Sequence, residues 1–178
     1  MNTLKLLPRR VILMSCLLLV LGGPQPGFGQ QAPLVVPTSL THAEARVIID
    51  EALAFSRQRN IFMSVVVMDN AGAVVSADRM DGVSGSTMHF AEGKAFASLN
   101  LRQTTEVLGA LAKTRPDRYF GIMNMYPGKV YLVGGGVPLV VNDRLVGAVG
   151  IAGLPQGVDE MAARAGMAVW DKYRASRR

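Results

Sequence analysis

The feature that most constrains the fold is a run of strand-forming residues broken by glycines, "VYLVGGGVPLVVNDRLVGAVGIAG", at positions 130–153. β-branched residues are frequent in it, and Asn142 with Asp143 suits a two-residue hairpin turn between strands. An earlier block, "IFMSVVVMDNAGAVVSADRM" at 61–80, is a second strand–turn–strand unit, with its turn at "DNAG". Consecutive units of this kind predict a sheet whose neighbouring strands run antiparallel.

Helical patterns flank and separate these blocks. "TSLTHAEARVIIDEALAFSRQRN" begins with a capping box of Thr41 and Glu44, and "STMHFAEGKAFASLNL" indicates a helix capped by Ser86 or Thr87. "TTEVLGALAKT" predicts another helix, "RPDRYFGIMNMYPGK" an irregular segment, and residues 158–173 a final helix. The predicted order, α-β-β-α-α-β-β-β-α, is that of an α+β fold with helices covering one antiparallel sheet.

The N-terminal segment has the pattern of an export signal. Three basic residues precede an apolar run that is too short to span a bilayer comfortably, and a Pro/Gly-rich stretch follows. We expect a signal peptide over residues 1–29, a linker over 30–38 and a single domain over 39–178, located in a bacterial periplasm or outside the cell. A retained membrane anchor and a twin-arginine export route are the alternatives.

Loss of the signal would change the charge and the cysteine content. It removes three of the 19 Lys and Arg residues and none of the 13 Asp and Glu residues, so the net charge falls from +6 to +3. That charge is too small to favour nucleic acid as a partner. Cys16 is the only cysteine, so the mature chain would have no disulfide, no thiol nucleophile and no Cys-based metal site.

The sequence gives little support for the common kinds of metal, catalytic or phosphate-binding site. The two histidines, His42 and His89, lack the spacing of a zinc motif, and no serine lies in a GxSxG elbow. "VGGGVP" lacks the Lys-Ser/Thr of a phosphate-binding loop, so its glycines indicate a sharp turn or a close approach to a ligand. Met123 and Met125 could bind Cu(I), although methionine more often fills cores.

His89 is the candidate ligand that the residues favour most. It lies in the first turn of a predicted helix, where the helix dipole disfavours the charged imidazolium and leaves a lone pair for iron. Met80, Met88 and Phe90 could supply the apolar wall that haem requires. The alternative is that His89 is only a surface or capping residue.

Four blocks together resemble the GlcG/HbpS-like haem-binding family, which includes haem-degrading members: "VVVMDNAGAVVSADRMDG", "AEGKAFAS", "GGGVPLVVNDRLVGAVGIAG" and "VDEMAARAG". The family is related to the C-terminal domain of PduO-type adenosyltransferases. The resemblance runs from about Leu40 to Tyr173. It implies a profilin-like fold, with a five-stranded antiparallel sheet between helices in α/β/α layers. It also implies oligomers, often octamers, and a haem or related tetrapyrrole ligand.

The resemblance also implies which residues matter. The family's motif residues fall here on Asp69, Gly72, Arg79, Met80, Asp81, Gly82, Lys94, Gly134, Gly135, Gly136, Pro138, Gly147, Gly150, Gly153 and Asp159. The expected cofactor-binding residues, with His89 as the iron ligand, are His89, Arg79, Met80, Asp81, Lys94, Gly135 and Gly136.

This chain departs from the family pattern at two places. The family often has an acid where this chain has His89, so His89 is not a ligand inherited from the motif. The usual "SGG" is "AGL" at residues 152–154.

Arg79, Asp81 and Lys94 are expected to form a polar cluster at the strand-to-helix corner. Arg79 and Lys94 could pair with haem propionates, or the three side chains could only fix the turn. Three functions therefore stand side by side. The first is an exported, self-associating haem-binding protein without a stable membrane anchor. The second is a small-molecule or haem-modifying enzyme that uses this cluster, and the third is a ligand-free accessory or assembly protein. A binding protein is favoured over a catalyst.

Overall fold

The computed structural model describes residues 39–153 and 157–177, all within one unit, Val35–Arg178. The predicted signal peptide (1–29) and linker (30–38) lie outside the described residues. In the described ranges, no helix has both the length and the apolar character needed to cross a bilayer.

The described residues contain five helices and four strands. In chain order they are α1 His42–Gln58, β1 Ser64–Asp69, β2 Val74–Arg79, α2 Ser86–Leu101, α3 Thr105–Thr114, α4 Pro116–Met125, β3 Gly136–Val141, β4 Arg144–Ala152 and α5 Val158–Ala175. All neighbouring strands are antiparallel, in the order β2-β1-β4-β3. The predicted α+β class, with one antiparallel sheet flanked by helices, is confirmed.

The sheet of the described residues has four strands, so the expected fifth strand at "VYLVG" is wrong. The Tyr131 N–H donates to the carbonyl of Gly93 on α2 at 3.2 Å, so this segment bonds to a helix at that point. Val130 and Leu132 are buried against Ala97 of α2 and Leu108 of α3. The apolar residues that suggested a strand therefore pack against the helices α2 and α3.

Two further local predictions are also wrong. The segment expected to be irregular forms α4, which has Pro116 in its first turn, where the missing N–H costs nothing, and buries Ile122. Neither Ser86 nor Thr87 caps α2, which starts after Gly85 without a side-chain cap. The Thr87 hydroxyl instead donates to the Ser84 carbonyl at 2.6 Å. The capping box of α1 is confirmed.

β1 is buried on both faces and separates two helical layers. Val65 and Val67 belong to the core that α1 and α5 cover, with Trp170 fully buried in it. Val66 and Met68 face the other way and pack on α2. Because successive strand residues alternate between faces, this central strand requires a helical layer on each side.

The glycines of the sheet let backbone segments approach each other closely. A Cβ at Gly150 of β4 would overlap the Ala91 carbonyl oxygen of α2 and lie 2.6 Å from the Ala95 nitrogen. A Cβ at Gly136 would overlap the Lys94 carbonyl oxygen. At these two positions the missing side chains therefore allow close packing of backbone against backbone.

Replacing Gly150 with alanine should lower the free energy of unfolding by about 3 kcal/mol, because α2 must move away from β4. Gly121 on α4 is the matched control, since a Cβ there meets nothing within 4 Å. Gly121→Ala should raise the free energy of unfolding by up to about 1 kcal/mol, through helix propensity alone. Urea denaturation measures both changes. An unchanged stability for Gly150→Ala would contradict this packing.

Candidate functional site

The structure distributes the expected binding residues over three places. Residues 79–81 lie at the end of β2 and in the turn after it, and His89 lies near the start of α2. Lys94 lies beside residues 135–136, close to the end of β4 and the start of α5. The three places differ in burial and in charge, and each supports a different role.

The most buried of the three contains an ion pair. Lys94 and Asp159 are 2% and 4% exposed, and the Lys94 Nζ donates to the Asp159 Oδ2 at 2.5 Å and to the Ile151 carbonyl at 2.7 Å. The Tyr131 ring lies 5.9 Å from the same ammonium. Burial lowers the pKa of Lys94, and the Asp159 carboxylate acts against that shift. The ammonium is enclosed by protein groups.

The glycine run wraps this ion pair. Gly135 has a φ of +123°, and a Cβ there would lie 2.6 Å from the Ile151 oxygen and 3.0 Å from the Lys94 Nζ. The next residue, Gly136, donates its N–H to the Thr105 hydroxyl at 2.7 Å. Both residues were expected to bind a cofactor, but here Gly135 lies against the protein's own ion pair and Gly136 packs against the Lys94 backbone carbonyl and Thr105.

The expected polar cluster of Arg79, Asp81 and Lys94 is not formed. Lys94 bonds at the end of β4 and approaches the start of β3, whereas Arg79 ends β2 at the opposite edge of the sheet. The Arg79 guanidinium donates to the Val83 carbonyl. The helix α2 crosses the sheet and carries Lys94 away from the corner, which residue spacing alone does not reveal.

His89 lines a separate cavity of about 300 Å³. Its lining residues come from β1, the β1–β2 turn, α2 and the loop after α4: Met68, Gly72, His89, Glu92, Gly93, Phe96, Gly128 and Lys129. His89 is exposed, and three of the eight lining residues are glycines. The cavity, called here the histidine cavity, therefore combines a reachable imidazole with walls that have few side chains.

The apolar wall around His89 is not the expected one. Met88 packs with Val66 in the core beneath α2, Met80 packs against the opposite core, and Phe90 stacks on Tyr131 at 4.6 Å. None of these three is among the residues that line the histidine cavity.

Met68 and Phe96 are the apolar residues of the lining instead, and neither was predicted from the sequence. The position of Phe96 near His89 could have been predicted from its spacing in the sequence. His89, Glu92, Gly93 and Phe96 are separated by three, four and seven residues, which places them on one helix face. Met68 comes from β1, and no local pattern connects it to His89.

Residues 79–81 line a second concavity, of about 490 Å³, called here the edge groove. Its lining residues come from the end of α1, the loop before β1, and β2 with the turn after it: Leu53, Arg57, Phe62, Ala77, Asp78, Arg79, Met80 and Asp81. Arg57 and Phe62 were missed, because they reach the groove only through the packing of α1 beside β2.

A bare metal site is not evident in the described residues, where no three His, Cys, Asp or Glu side chains are placed to hold an ion. His42, the other histidine, is exposed in the first turn of α1. His89 is thus the histidine that lies in a concave setting.

Comparison with known proteins gives a consistent result. A family model described as "Haem degrading protein HbpS-like" matches residues 40–168. The crystal structure of HbpS is 30% identical, covers 74% of this chain and 90% of its own, and superimposes with a TM-score of 0.67.

Two other relatives are more distant. A PduOC:haem complex is 23% identical with a TM-score of 0.68, covering 74% of this chain and 94% of its own, and shows the fold alone. An uncharacterised 15.0 kDa protein from the dhaT-dhaS intergenic region of Citrobacter freundii is 25% identical over 115 residues, 65% of this chain and 80% of that protein.

Removing one member of the buried ion pair should lower the free energy of unfolding more than removing both members does. Asp159→Ala should lower the free energy of unfolding by about 3–5 kcal/mol, because the Lys94 ammonium stays buried without its counter-ion. The double variant Lys94→Met with Asp159→Leu should lose less, since no charge remains buried.

Asp117→Ala is the control for this comparison, because it breaks a 3.2 Å pair with Arg115 whose side chains are 70% and 62% exposed. It should change stability much less than Asp159→Ala does. Thermal and urea denaturation measure all three variants. A loss in the double variant at positions 94 and 159 that equals or exceeds the loss in Asp159→Ala would contradict this role of the ion pair.

Proposed function

The chain belongs to the HbpS-like family of haem-degrading proteins, and from this membership we propose that it binds haem in the histidine cavity, with His89 as the axial ligand. The observation that carries the proposal is the position of the exposed imidazole at a concavity lined by glycines and by two apolar side chains. Haem binding requires an axial ligand for the iron and apolar contact for the ring, and this cavity offers an imidazole beside apolar side chains.

Individual residues of the histidine cavity suit different parts of a haem. The exposed His89 imidazole can approach iron, the half-buried Phe96 offers apolar surface, and Gly128, where a Cβ would meet nothing within 4 Å, leaves open space for a flat ring. Lys129 is a cation within the same lining and can pair with a propionate. Bound haem supplies an iron centre for redox and ligand chemistry, while the residues named here bind and orient it.

Family membership supports haem over a bare ion. An iron held in a porphyrin can bind through a single protein ligand, which the one histidine of this cavity can provide. The PduOC structure was determined with haem, so a protein of this fold can accommodate the macrocycle.

Export and self-association complete the proposal. The export signal expected over residues 1–29 supports a role in the periplasm or outside the cell, and the family resemblance supports an oligomer. The small net charge of the expected mature chain favours a small-molecule partner over nucleic acid.

The enzymatic alternative loses its expected site, because Lys94 is held by Asp159 and does not reach Arg79 or Asp81. A ligand-free accessory protein remains the competing function, and the titration below separates it from a haem-binding protein.

Hemin should bind the purified protein saturably, with a Soret band that reports ligation of iron. His89→Ala should weaken binding about tenfold or more, equivalent to about 1.4 kcal/mol, and should shift the Soret maximum, because the iron loses its nitrogen ligand. His42→Ala is the matched control and should leave both affinity and spectrum unchanged. Absorbance titration measures these quantities.

The other outcomes are equally informative. An unchanged spectrum and affinity in His89→Ala would contradict the assignment of the ligand. The absence of a saturable band in the wild-type protein would contradict haem binding and favour the accessory role.

A further inference from the structure

We propose that the edge groove is a second binding site, separate from the histidine cavity, for a small organic carboxylate with an apolar body. The inference goes beyond haem binding and does not depend on it. It rests on the open edge of β2, on two guanidinium groups without a carboxylate partner, and on an exposed aromatic ring.

The groove follows the free edge of the sheet. Residues 77–81 all line it, although successive strand residues point to opposite faces, so the concavity must run along the strand's edge. β2 is the last strand on its side of the described sheet. The Met80 N–H donates to the Met63 carbonyl at 3.1 Å, so alternation places the Arg79 N–H on the outer, unpaired side.

Two guanidinium groups of the groove are placed to bind an anion. Arg57 and Arg79 both line it, and in the described part of the chain no carboxylate oxygen lies within 4.0 Å of either guanidinium. Asp78 is held by Arg46, which contacts its two oxygens at 2.8 and 3.2 Å and also pairs with Asp50. The lining therefore holds two arginines and two aspartates, and the two guanidinium groups are its side chains available to bind an anion.

The remaining lining is apolar. The Phe62 side chain is 52% exposed, and Leu53 and Met80 lie beside it in the groove. Covering such a ring removes apolar surface from water, which is favourable. A volume of about 490 Å³ falls in the usual range for small-ligand sites. The groove thus has an apolar wall for a ligand body and two planar cations for a carboxylate.

Haem fits this groove less well than a simple carboxylate does. Neither histidine lines it, and the Met80 sulfur is the only soft atom among the lining residues. An iron porphyrin placed here would lack a nitrogen ligand, whereas a carboxylate with an aromatic or alkyl body would use every part of the lining.

Phenylbutyrate is a suitable probe, with phenylbutanamide as its uncharged counterpart. In isotope-labelled full-length protein, phenylbutyrate should saturably shift the amide signals of residues 77–81 and Phe62. The double variant Arg57→Gln with Arg79→Gln should weaken binding at least about tenfold, because two charge-assisted hydrogen bonds are lost. Phenylbutanamide should bind more weakly than phenylbutyrate and should be insensitive to that variant.

Lys113→Gln with Arg118→Gln is the matched control, because it removes two exposed positive charges from α3 and α4 outside the groove. It should leave phenylbutyrate affinity unchanged. Equal affinity for the acid and the amide, or equal losses in both double variants, would overturn recognition of the carboxylate. Shifts centred on the histidine cavity, or competition between hemin and phenylbutyrate for one site, would overturn a separate groove.

Discussion

A buried ion pair between a lysine and an aspartate joins the three layers of this fold. Lys94 belongs to the helix on one face of the sheet, Asp159 lies in the first turn of the helix on the other, and the lysine also bonds to the Ile151 carbonyl of β4 in the sheet between them. Such a pair is costly to bury, so its geometry must be satisfied if the fold is to be stable. Gly135 follows from this requirement, because a Cβ there would lie 2.7 Å from the Asp159 Cβ and 3.0 Å from the Lys94 Nζ.

The position of the histidine cavity depends on the same anchor. His89 precedes Lys94 by five residues, which corresponds to roughly 7.5 Å along a helix axis. A second contact, from the Tyr131 N–H to the Gly93 carbonyl, fixes α2 against the loop that supplies Lys129 and Gly128. A ligand bound beside His89 would therefore meet a lining held by buried structure, which lowers the entropy lost on binding.

Much of the fold could be predicted from the sequence because its signals are local. The turn at "DNAG", the Asn142–Asp143 hairpin and the Thr41–Glu44 capping box each involve residues that are close in the chain. The strand expected at "VYLVG" was wrong because alternating apolar residues do not reveal whether the backbone bonds to a strand or to a helix.

The candidate site was harder to predict because its contacts are long-range. Lys94 pairs with a residue 65 positions later, and Arg57 lines the same groove as Arg79 only because α1 packs beside β2. A polar cluster inferred from nearness in sequence was consequently divided between opposite edges of the sheet. The family resemblance indicated Arg79, Lys94 and Gly135 together, but not their separation in the fold: Lys94 and Gly135 lie at a buried ion pair, whereas Arg79 lines the edge groove.

The most direct test of the account is a crystal structure of the protein grown with hemin. The account predicts iron density at bonding distance from the His89 imidazole, with the macrocycle against Phe96 and the glycines of the histidine cavity, and no porphyrin in the edge groove. Porphyrin density along β2, with His89 unligated, would contradict it.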